Sequence, residues 1–214
     1  MRFHYSAIPE GDDFQPESEG WRAIREPNPI LLQVMAVPAA LALVLAWMLL
    51  IFLFLMLRGT SFEFPTSNIS FTLSLVTFLL ILLLIIPLHE LLHALSHPGW
   101  GLSAKTIIGM WISRGLFYAH YEGVMSRNRF LLISVTPCLV LGVLPAVVWG
   151  IFPGGWWSAD MSQNLLFLSL TGTLAASGDF VGAVLMYLQI PNSAIIRNKG
   201  WRTYWKPGPL HSVK

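Results

Sequence analysis

Four stretches of this chain, roughly residues 31–57, 71–97, 130–152 and 165–189, contain no lysine or arginine. Each is long enough to cross a bilayer as a helix, which takes about 20 apolar residues. The composition agrees: 55% of residues are hydrophobic and 11% are charged, against about a quarter charged in a soluble domain. The expected fold is an all-α integral membrane protein with four transmembrane helices and a short cytoplasmic β-hairpin between the second and third. Residues 31–190 form the membrane domain. Residues 1–30 form an acidic, proline-containing cytoplasmic lead, and residues 191–214 a basic and aromatic cytoplasmic tail read as coil.

The basic residues orient the spans. Arg2, Arg22 and Arg25 precede the first span. Lys105, Arg114, Arg127 and Arg129 lie between the second and third. Arg197, Lys199, Arg202, Lys206 and Lys214 follow the fourth. Arg58 alone falls on the opposite side, which places both termini in the cytoplasm of a multi-pass membrane protein. The first thirty residues are polar and carry no short apolar core of a secretory signal. A net charge of +2 gives no reason to expect a nucleic-acid partner, and the single cysteine, Cys138, excludes a disulfide framework and a cysteine-based zinc site. The partners expected are the lipid bilayer and a polypeptide. The oligomeric state is left open.

Only two acids fall inside the apolar runs, Glu90 and Asp179. Glu90 belongs to His89-Glu90-Leu91-Leu92-His93, an H-E-x-x-H pattern. Residues four apart share one helix face, so both imidazoles can reach one zinc ion. In this pattern the glutamate is the general base that activates water. The competing reading is a helix end whose polar residues simply reach the interface. Pro87 is expected to disturb the helix just before His89.

A catalytic zinc takes three protein ligands and leaves one position open. His97 shares the face of His93, but His89 to His97 spans about 12 Å of helix at 1.5 Å per residue. It is expected to end the helix. His120 falls in the expected hairpin, as a surface strand histidine. Asp179 is the better candidate. Counted from the cytoplasmic span ends, the two histidines lie about 6 to 12 Å deep and Asp179 about 15 Å. Gly172, Gly178 and Gly182 are expected to let the spans approach closely. The hairpin lies close enough to the motif to take up an extended peptide as an added strand.

The run from Pro87 to Ala94, followed much later by Ser177-Gly178-Asp179, resembles the small bacterial membrane proteins described as putative zincin peptidases. The likeness spans about residues 70–190. More distantly it resembles intramembrane metalloproteases of the site-2 type, although there the aspartate sits in other sequence settings than Gly178-Asp179-Phe180. The resemblance implies His89, His93 and Asp179 as zinc ligands, Glu90 as base, and a bacterial cytoplasmic membrane as location. It implies a zinc-dependent peptidase acting on membrane or membrane-adjacent polypeptides. The alternative is a non-catalytic metal-binding sensor or accessory protein using the same ligands.

Overall fold

The structure, a computed structural model, describes residues 1–11, 13–59, 75–152, 156 and 158–208. The expected outer loop at 60–70, the first residues of the second expected span (71–74), Trp157 and the tail beyond 208 lie outside the described residues. Helix α1 (Pro29–Leu57) is capped by Asn28, whose side chain accepts from the Leu31 N–H at 2.8 Å. Helix α2 (Leu75–Ser96) carries the H-E-x-x-H run and continues through Pro87 without a break. The third apolar segment is α3 (Arg127–Pro137), a widened π turn (Cys138–Val143) and α4 (Leu144–Ile151). The fourth is α5 (Ala159–Ala175) and α6 (Ser177–Gln189), bent by 43°. By length and composition, three of these helices can cross a membrane, and the bent pair makes a fourth. Many large apolar side chains of α1 and α2 are exposed, among them Leu45, Leu49, Leu83 and Leu84. A helix apolar all round faces lipid rather than water.

Several polar groups inside the bundle bond across helices. The Ser169 hydroxyl donates to the Gly142 carbonyl in the π turn. Trp47 Nε1 donates to Ser169 Oγ at 2.8 Å, which ties α1 to α5. Arg58, at the far end, donates to the carbonyls of Trp149, Gly150 and Phe152 at the end of α4.

The chain is not all-α. Two small sheets sit at the bundle end where α1 and α3 begin and α2 and α6 finish. The first sheet has the order β1-β3-β4 and contains β1 (Arg2–His4), β3 (Thr106–Trp111) and β4 (Leu116–Tyr121). Strands β3 and β4 form the expected hairpin. Its turn closes at Gly115, whose φ of +59° suits glycine. The second sheet was not expected. Its order is β2-β7-β6-β5, from β2 (Arg22–Ala23), β5 (Met125–Ser126), β6 (Ala194–Lys199) and β7 (Arg202–Pro207).

The tail is therefore a hairpin and not coil, and the N-terminal lead is not irregular. Gly200, at φ +54°, opens a two-residue turn between Lys199 and Arg202, the position where a type II′ turn wants glycine. The lead clips to this hairpin through Phe14. Its ring is buried edge-on against Trp21 and Tyr204, with the Arg197 guanidinium 4.4 Å above it. Arg197 also pairs with Asp13 at 2.7 Å, and Lys199 Nζ donates to the Phe14 carbonyl at 2.9 Å. A compact apolar core of Tyr121, Met125, Ile133, Met186, Ile190 and Ile196 joins this sheet to α3 and α6.

Candidate metal centre

His89 and His93 are one helical turn apart on α2, and both are buried. Their rings meet edge to face, with centroids 4.7 Å apart. His93 Nδ1 lies 2.9 Å from the Ile133 carbonyl on α3. A carbonyl only accepts, so Nδ1 carries the proton and the Nε2 lone pair is free to face inward. His89 Nδ1 is buried with no hydrogen-bond partner, so packing against His93 holds that ring instead.

Asp179 arrives from the fourth apolar segment because the helix breaks just before it. Ala176 leaves helical geometry with ψ near zero, and α6 restarts at Ser177. Asp179 falls in the first turn of the new helix, where free N–H groups favour a carboxylate. Its Oδ2 lies 2.8 Å from His89 Nε2 and 3.3 Å from His93 Nε2. The two Nε2 atoms are 3.1 Å apart. Donors around a tetrahedral zinc at 2.0–2.1 Å stand about 3.3 Å from one another. Two imidazole nitrogens and one carboxylate oxygen at these separations fit such an ion, and the donor set suits zinc. Among the described residues this is the one group of three His, Cys, Asp or Glu whose ligand atoms converge in this way.

Glu90 points into a cavity of about 470 Å³ that it shares with His93 and Asp179. Strand β4 forms one wall. Lys105 and Glu122 bond at the end of the hairpin, with the Glu122 N–H donating to the Lys105 carbonyl at 3.0 Å. Hydrogen-bonded pairs alternate along an antiparallel ladder. Ala119, opposite Ile108, therefore turns its N–H away from β3. That N–H is directed at the Glu90 carboxylate. Because β4 pairs on one side only, its outer edge at Phe117, Ala119 and Tyr121 borders the cavity.

The other two histidines are near this centre but outside it. His97 follows the last residue of α2, as expected, and is buried with Nδ1 3.3 Å from Thr106 Oγ1. His120 is not a surface residue. It is 5% exposed, and burial pushes its imidazole down to about 4. The hairpin packs against α2, which buries this face of the strand. Gly172 does permit close approach: a Cβ there would lie 2.5 Å from the Leu141 backbone. Gly178 and Gly182 have open space instead, and both line the cavity.

Sequence reasoning missed Glu26, Asn198 and Trp201, which also line the cavity. Glu26 comes from the lead, and the other two from the β6–β7 hairpin. The glycine in Asn198-Lys199-Gly200-Trp201 was the available signal for that hairpin.

No curated protein and no solved structure matches this chain. One family model matches residues 82–195, more than half of the chain, and takes in the motif on α2, the β3–β4 hairpin and Asp179. The chain belongs to the family described as putative zincin peptidase, a description that denotes a metallopeptidase.

Proposed function

We propose that this protein is a zinc-dependent, membrane-embedded peptidase that hydrolyses peptide bonds in membrane or membrane-adjacent polypeptides. One observation carries the reading: His89, His93 and Asp179 converge from two apolar helices at the wall of a cavity that also holds Glu90. His89, His93 and Asp179 would hold the ion. Zinc supplies Lewis acidity towards a carbonyl and brings the pKa of water towards 7.

Glu90 takes the proton from the attacking water and delivers it to the nitrogen of the departing amine. The Ala119 N–H steadies the carboxylate for that transfer. The outer edge of β4 supplies unpaired backbone groups on which an extended substrate adds as a strand. The bundle and the capping sheet exclude bulk water. Both termini lie in the cytoplasm of a bacterial cell, so the centre opens to the cytoplasmic side.

The test is metal content and turnover on purified protein. Wild type and Glu90→Gln are expected to hold one zinc per chain. Glu90→Gln should lose at least about a hundredfold in cleavage of a membrane-polypeptide library, the range for removal of a general base. Absence of stoichiometric zinc in a protein with His89, His93 and Asp179 intact would sink the proposal.

A further inference from the structure

The cavity that holds Glu90, His93 and Asp179 is also lined by Glu26 and Asn198, both in or beside the capping sheet. Asn198 lies opposite Thr203 in the β6–β7 ladder. The Thr203 N–H points away from β6 and is accepted by Glu26 Oε2 at 3.4 Å. Glu26 and Asn198 thus flank the same residue of β7.

Both are acceptors with capacity to spare. The bond from Thr203 is long and occupies one of several lone-pair positions on the carboxylate. Among the described residues, no lysine or arginine forms an ion pair with Glu26. Asn198 Oδ1 is buried with no hydrogen-bond partner. Among the described residues, no lysine or arginine lines the cavity. Burial pushes the Glu26 carboxyl above its ordinary value, outweighing the opposite pull of its bonds from Thr203 and of the Arg202 charge. A carboxylate on a cavity wall with lone pairs to spare favours one kind of occupant, a cation that donates hydrogen bonds.

We propose that Glu26 and Asn198 form a specificity subsite for a cationic group of the substrate polypeptide. The group is a lysine or arginine side chain or a free terminal ammonium. The inference rests on the peptidase reading above. The cation makes a charge-assisted bond to Glu26, with Asn198 beside it, while the peptide lies along β4 towards Glu90. The competing role for Glu26 is purely structural, ending the β2 ladder by accepting from Thr203. Glutamine can make that bond equally well, so Glu26→Gln separates the two roles.

The experiment uses zinc-loaded Glu90→Gln protein in detergent, which holds peptides without cutting them. The probes are short synthetic peptide libraries, with the amino terminus free or acetylated, each made with or without lysine and arginine. Retained peptides are counted by mass spectrometry. Libraries bearing the cationic group should be retained about tenfold over the fully neutral one. The arm that keeps the preference identifies side chain or terminus. Adding Glu26→Gln should abolish the preference with zinc content and unfolding temperature unchanged, and adding Asn198→Asp should strengthen it. Equal retention in every arm, retention of no peptide at all, or a preference that survives Glu26→Gln overturns the subsite. Those outcomes in a protein that holds zinc and cleaves in its wild-type form leave the peptidase reading standing. Failure to hold zinc removes that reading instead.

Discussion

His93 uses both nitrogens of its ring, one to hold its orientation on the Ile133 carbonyl and one to face the centre. His120, on the neighbouring strand, does the opposite and stays neutral in an apolar setting. Its folded pKa of about 4 lies below the ordinary 6.5. The unfolded chain therefore takes up a proton as pH falls through 6.5, and the folded chain refuses it until about 4. The stability this residue contributes is full above 6.5 and is lost as pH drops through that window, by roughly 3 kcal/mol. Thermal unfolding of metal-free protein should show a steeper acid loss for wild type than for His120→Gln, and parallel curves would disprove this. At this scale the motif was legible because helical spacing alone puts His89 and His93 on one face. Asp179 was legible because an acid is conspicuous in an apolar run and its depth follows from counting residues. Glu26 was not, since it owes its place to pairing between residues 22–24 and 203–205 that no local pattern records, and Asn198 was signalled only by the glycine of the β6–β7 turn.

The centre depends on two departures from regular helix. The restart at Ser177 puts Asp179 in a first turn, and the π turn at Cys138–Val143 brings Leu141 against Gly172. The neighbour at Gly172 is backbone and cannot rotate away. Gly172→Ala should therefore push the third and fourth segments apart and cost about 1–3 kcal/mol, read as a lowered unfolding temperature. Gly182→Ala, which meets nothing within 4 Å, should leave that temperature unchanged or raise it. Equal destabilisation by the two would contradict this account. The long apolar helices were legible because lipid leaves the backbone no other solution. The β3–β4 hairpin was legible from its β-forming residues and its Ser113-Arg114-Gly115 turn. The break at Ala176 was not, because Ala175-Ala176-Ser177-Gly178 contains no proline and reads as plain small-residue helix. The second sheet escaped notice because β2 and β5 have two residues each, too few to show a period.

Over the whole molecule, charge and connectivity give the same orientation. In the expected four-span arrangement the lead and the tail share a side, and Trp156 faces the other. In a Cys138→Ala background, an impermeant thiol reagent added outside right-side-out vesicles should label Trp156→Cys and spare Glu17→Cys and Asn192→Cys. Labelling of Trp156→Cys and Asn192→Cys from the same side would refute the fourth crossing. The strand order of the capping sheet has a further consequence, for how the protein is made. Strand β7 leaves the ribosome after β2, β5 and β6, yet it lies in the interior of its sheet, between β2 and β6. Every helix and the whole of the first sheet are synthesised before it. Long-range pairings of this kind close late. The nascent chain therefore carries its candidate metal ligands before it has an enclosed chamber, and the roof is fitted only once β7 has emerged.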